Sequence, residues 1–137
     1  MGLAAALTVA ITIGYLKDGN SSALVYQQKI EKVFELEEAA LKPFREGNED
    51  NNVMLENLEK ISRKKWQQAQ DIMEETQEYD LDENTARHRE LLTEYVELRN
   101  KHTALAIRSL KGDENVNSEL QEVTDQIEST LDKLKEQ

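Results

Sequence analysis

Residues 116–134 read VNSELQEVTDQIESTLDKL. Val116, Leu120, Val123, Ile127, Leu131 and Leu134 recur at steps of four and three, with Glu, Gln, Asp and Ser between them. That spacing places the six apolar side chains along one seam of an α-helix and turns the acids outward. The pattern predicts a helix over about Asn115 to Lys135. Ser118 and Gln121 match a capping box and allow a later start.

Three more segments upstream carry the same kind of periodicity. One runs from about Ser22 to Arg45, with Leu24, Val25, Ile30, Val33, Phe34, Leu36, Ala40, Leu41 and Phe44 as its apolar positions. Pro43 lacks an N–H and crowds the preceding turn, so it is expected to end or kink this helix near Leu41. Gly47-Asn48 reads as a stop. The next runs from about Asn52 to Glu78 on a stripe of Leu55, Leu58, Ile61, Trp66, Ala69, Ile72 and Met73. Asp50, Asn51 and Asn52 are its candidate N-caps. The third runs from about Asn84 to Lys111 on Leu91, Leu92, Tyr95, Leu98, Leu105, Ala106 and Leu110. Arg108 and Lys111 suit the negative end of its dipole, and Gly112 can supply a left-handed C-terminal residue. Ser and Thr residues are expected at caps or on polar faces.

Composition agrees. The chain has 137 residues, 33% of them charged and 5% aromatic, with one proline and five glycines. That mix favours long helices, and the length suits one domain. Alternation of period two does not occur. Short links between long amphipathic helices place neighbours antiparallel. The expected fold is all-α: an up-down bundle of three to four long amphipathic helices, preceded by an apolar, transmembrane-like N-terminal helix.

That preceding segment is MGLAAALTVAITIGYL, residues 1–16, with no charged side chain. As a helix it would span about 24 Å, against roughly 30 Å for a hydrocarbon core. An export signal would carry Lys or Arg ahead of the apolar run, and only Met1-Gly2 stands there. A buried helix of the globular part is the third reading. Only Thr8 and Thr12 interrupt the run, and Tyr15 with Lys17 fits a headgroup-level anchor. The end of a membrane span is therefore the expectation for 1–17, with 18–137 a separate acidic helical domain. Lys17 is the only cation near that boundary, so the positive-inside bias places 18–137 on the extracytoplasmic, periplasmic face.

The net charge is −11 and cysteine is absent. The field of such a chain repels nucleic acid and anionic headgroups. Disulfides, thiol catalysis and cysteine-ligated metals are excluded. His88 and His102 are two heptads apart on one helix face, about 21 Å from each other, too far to share one ion. Neither has a Glu three residues before it, so the carboxylate–histidine di-iron pattern is missing. In DLDENTARHREL, Asp80, Asp82 and Asn84 match three calcium-loop positions. Thr85 stands where glycine is needed and Leu91 where a bidentate glutamate is needed. The segment reads instead as a helix stop and an acidic N-cap. RKKWQQ, Arg63 to Gln68, pairs cations with an aromatic; Trp66 is read as a core anchor and the cations as its wet face. Asn20-Ser21-Ser22 fits a glycosylation triplet. No nucleophile motif or phosphate loop can be drawn, so no catalytic, cofactor or metal residue is assigned within the chain.

Three stretches carry a resemblance: KIEKVFELEEAALKPFREG, KKWQQAQDIMEE and DLDENTARHRELLTEYVELRNKHTALAIRSL. With the closing heptad helix, they resemble the helical C-terminal extension of Bacteroidetes-type rhomboid-family intramembrane serine proteases. The Leu-Glu-Glu-x-Ala-Leu segment falls at Leu36 to Leu41 and the lone tryptophan at Trp66. The Leu-Leu-x-x-Tyr-x-x-Leu-Arg segment falls at Leu91-Leu92, Tyr95 and Leu98-Arg99. The loop before the third long helix departs from the pattern: a proline is expected and YDLDEN stands there. The resemblance implies a non-catalytic extramembrane domain following the last membrane helix, with residues 1–16 the truncated end of that span. The family's Gly-x-Ser-Gly serine and membrane histidine do not occur here, so neither role is carried over. The implied partners are the membrane through residues 1–17, and a protein partner or the parent's own membrane core. Two other functions stay open at this point: a four-helix ligand-sensing domain, and a coiled-coil adaptor in which a second copy is the partner.

Overall fold

The computed structural model describes residues 21–47 and 50–136. The apolar segment 1–17, and with it the expected membrane-type helix, lies outside the described residues, as does Asn20 of the glycosylation triplet. Among the described residues no helix is long and apolar enough to cross a membrane. They form four helical rods and no strands.

The first rod is α1 (Ser21–Glu46). The second consists of α2 (Asn51–Asn57), a π-helical turn (Leu58–Ser62) and α3 (Arg63–Thr76), joined without leaving helical backbone. The third is α4 (Glu83–Leu110), and the fourth is a 3-10 turn (Glu114–Val116) leading into α5 (Asn117–Lys135). Side-chain pairs give the directions. Lys29 meets Glu75 and the Ser62 hydroxyl reaches the Ala40 carbonyl, so the first two rods are antiparallel. Lys111 meets Glu59, and Lys101 meets Glu119, which reverses the chain twice more. The order is up-down-up-down, as short links dictate.

Each turn has a local cause. Asp50 caps α2 by accepting from the Asn52 amide at 2.9 Å. At the end of α4, Gly112 adopts φ +98, its amide bonds the Ser109 carbonyl, and the Asp113 amide bonds the Arg108 carbonyl. That pair of bonds is the Schellman closure, which only glycine enters without strain. Asp113 then caps the next rod by accepting from the Asn115 amide, so the Ser118 capping box is not the start signal used. The Arg108 guanidinium and the Asn115 amide together hold the Asp113 carboxyl below its ordinary range.

Three expectations about the helices are corrected. Pro43 does not end α1 at Leu41; the helix runs on to Glu46 and stops at Gly47, φ +56. In the last turn a proline removes a single bond, to the carbonyl four residues back, and little helix remains to be bent. In the second rod Ile61 is 39% exposed and Ser62 fully buried. The π turn adds one residue, which swings Ile61 outward and puts the Ser62 hydroxyl on the Ala40 carbonyl. Leu24 and Val25 also leave the core, and Ala23 and Tyr26 take the inward places.

The main core draws on all four rods: Ile30, Val33 and Leu41 from α1, Trp66 and Met73 from α3, Leu92 and Val96 from α4, and Ile127 and Leu134 from α5. Burying each such side chain contributes about 1.5–3 kcal/mol. A smaller cluster of Leu58, Ala106 and Ile107 closes the end near the α1 C-terminus.

Candidate functional site

In α1 the inward positions Ala23, Tyr26, Ile30, Val33, Glu37, Ala40 and Phe44 follow steps of three and four. In α4, Thr85, His88, Leu92, Tyr95, Arg99, His102 and Ala106 do the same. These two seams face each other across the core in parallel. Their backbones do not pack closely, and long side chains bridge the gap.

Three rungs cross it. At one end the Tyr26 hydroxyl and His88 Nδ1 hydrogen-bond at 2.8 Å, with the rings edge to face. In the middle the Tyr95 hydroxyl donates to Glu37 Oε2 and accepts from Arg99 Nε at 3.0 Å. The Arg99 guanidinium lies over the Tyr95 ring, 5.3 Å from its centroid, and Trp66 of α3 meets that ring edge-on. At the other end the Phe44 and His102 rings meet at a tilt of 53°, their centroids 5.8 Å apart. Glu37 is 2% exposed and Arg99 1%. Buried ions of opposite sign persist when hydrogen bonds join them, and the Tyr95 hydroxyl bonds both.

Burial sets the protonation of this seam. It lowers His88 to about 4. His102 also falls to about 4, through burial first and the Arg99 charge second. Both are therefore neutral at pH 7. Burial pushes the Tyr26 phenol up, against the opposing Arg89 charge. Burial raises the Tyr95 phenol too; Arg99 pulls it down and Glu37 adds to the rise. Both tyrosines keep their protons. His88 Nε2 and Trp66 Nε1 are buried without a hydrogen-bond partner among the described residues. If the Tyr26 hydroxyl donates to Nδ1, the Nε2–H is left without an acceptor; if Nδ1–H donates instead, Nε2 is a bare acceptor.

The residues weighed for chemistry do not converge. Asp82 is the extended N-cap residue of α4, and Asp80 and Asn84 are exposed. His88 and His102 face α1 at opposite ends of the seam. Among the described residues no group of three His, Cys, Asp or Glu stands close enough to hold a metal. Trp66 is fully buried, as expected, with Arg63 and Lys64 exposed beside it. The expectation for hydroxyl residues is corrected: Ser62, Thr76, Thr85, Thr103 and Thr130 are buried. Thr76, Thr103 and Thr130 hydroxyls bond carbonyls of their own helices. Tyr26, Glu37 and Arg99 are not singled out by the sequence. The signal that could have found them is their place at steps of three and four within the seams.

Four antiparallel rods with a polar seam define a helical bundle. Compared with protein-family models, curated proteins and solved structures, the chain matches none of them.

Proposed function

We propose that residues 18–137 form a non-catalytic helical domain standing at a membrane surface, tethered through residues 1–17, and serving protein contacts or positioning. One observation supports this reading above others. Near the start of α1, Leu24 and Val25 are exposed, 48% and 39% accessible, and only the largely polar stretch of residues 17–23 separates them from the uncharged run of residues 1–16. An exposed apolar patch close in sequence to an apolar segment suits the membrane-proximal end of an acidic domain.

The closing heptad that suggested a coiled-coil adaptor is used within the chain: Leu120, Val123, Ile127, Leu131 and Leu134 are buried in the bundle. In its narrower form the proposal makes this the extramembrane extension of a rhomboid-family protease, on the extracytoplasmic side. The resemblance of Leu36–Leu41, Trp66 and Leu91–Arg99 supports that form, and the genomic reading frame upstream of Met1 tests it. Membrane helices bearing a Gly-x-Ser-Gly serine are expected; a non-coding upstream region counts against it.

The broader form is tested by expressing the whole chain in bacteria and washing membranes with alkaline carbonate. The chain is expected to stay in the pellet and to require detergent for release. Val9→Glu with Ile13→Lys should free it. A wild-type chain dissolved without detergent contradicts the proposal.

A further inference from the structure

Every titratable or charged side chain turned into the described core belongs to α1 or α4. From α1 come Tyr26 and Glu37; from α4 come His88, Tyr95, Arg99 and His102. The second rod contributes Leu58, Ser62, Trp66, Ala69, Met73 and Thr76. The fourth contributes Val116, Leu120, Val123, Ile127, Thr130, Leu131 and Leu134. None of these can titrate. The helix pair that carries all the core charge is also one whose backbones do not pack closely.

We infer that this seam is an acid-operated latch: protonation of His88 and His102 drives α1 away from α4 while the α4–α5 pairing holds. At neutral pH the seam holds one anion, Glu37, and one cation, Arg99. Two imidazolium ions would make three cations against one anion in a dry space. His102 would gain its charge near Arg99, and His88 would gain it with Nε2 unpartnered among the described residues and Tyr26 at Nδ1. The Arg89 charge that bears on Tyr26 has the same sign. The two ring pairs that part on opening, Tyr26–His88 and Phe44–His102, both join α1 to α4. By contrast, α4 meets α5 through apolar core residues, with the Lys101–Glu119 ion pair at the surface between them. The closed and open positions of the latch therefore differ in the charge they tolerate, as a pH-sensing element requires.

The chain lacks cysteine, so spin labels can be placed at will. Label pairs at Glu31→Cys/Glu94→Cys and at Glu97→Cys/Glu122→Cys report α1–α4 and α4–α5 distances in the full chain. The first distribution should be narrow at pH 7 and longer and broader at pH 4.5. The second should stay narrow at both. His88→Gln/His102→Gln should keep the first pair narrow at pH 4.5. In the wild type, histidine ring-proton NMR should titrate with the same midpoint as the widening. An α1–α4 distance that stays fixed after both rings titrate overturns the latch. So does joint broadening of both pairs, or a midpoint that does not track the histidines. The last comparison needs no variant to fold.

Discussion

The Tyr95 hydroxyl donates to the Glu37 carboxylate 58 residues away, inside the core, while accepting from the Arg99 Nε. One phenol thus stands between a buried anion and a buried cation. Removing the cation alone strands the anion in a dry site, and that costs more than the pair itself contributes. Arg99→Met is therefore expected to lower unfolding free energy by about 3–5 kcal/mol. The triple change Glu37→Leu/Tyr95→Phe/Arg99→Met is expected to cost less than Arg99→Met alone, because no charge is left behind. Urea unfolding of the two variants decides it. A triple variant less stable than the single one would show that the cluster is net stabilising.

The histidines predict how stability varies with pH. Each binds its proton more weakly in the folded chain, at about 4, than in the unfolded one, near 6.5. Their contribution is complete above pH 6.5 and is lost as pH falls toward 4. Each is worth roughly 3 kcal/mol over that window. Together they approach the whole stability of an ordinary domain. Between pH 6 and 5 the unfolding free energy should fall by about 2–3 kcal/mol per pH unit. A flat profile across that window refutes the assignment of both rings as neutral.

Arg89 fastens the link between the second and third rods. Its Nη1 donates to the Thr76 carbonyl at 2.7 Å and to the Tyr79 carbonyl at 2.9 Å. Both oxygens lie at or just past the C-terminal end of α3, where intrahelical donors run out; the Thr76 carbonyl also accepts from the Tyr79 amide at 3.1 Å. Arg89→Met should cost about 1–2 kcal/mol and speed amide exchange in residues 77–82. Exchange there at the wild-type rate would show the link holds without it.

The π turn makes an unusual deletion tolerable. Leu58 and Ser62 are four apart across five π-helical residues; without Ile61 they are three apart and still share a face. Deleting Ile61 should change stability by less than about 1 kcal/mol, since an exposed residue is lost and the register of α3 is kept. Deleting Gln68 instead rotates Ala69, Met73 and Thr76 off the core and should cost more than about 3 kcal/mol. Thermal melts of the two deletions should differ widely; equal losses would mean that the π turn does not absorb the change.

How far the sequence led depends on the element. Rod limits at Gly47, Asp50 and Gly112 were legible because caps and left-handed glycines act locally. The heptad of residues 116–134 was legible because all its seam positions are apolar. The seams of α1 and α4 were not read through: they carry the same steps of three and four, but Tyr26, Glu37, His88, Arg99 and His102 break the apolar stripe. A hydropathy reading turns such residues outward. What keeps them inside is the complementarity of two helices whose facing residues lie 58 to 62 positions apart in the chain, which no local pattern carries. Ile61 was misplaced because the π turn shifts the face by one residue, and a constant period of 3.6 cannot show that.

The proposed arrangement, an apolar lead within a bilayer and an acidic bundle outside it, is tested most directly by depth. Nitroxide labels at Val9→Cys and at Glu122→Cys in the full chain, held in zwitterionic bicelles, can be exposed to oxygen and to a neutral nickel chelate. The account predicts that the label at position 9 collides with oxygen and is shielded from nickel, and that the label at position 122 shows the reverse. Equal access of nickel to both positions would contradict it.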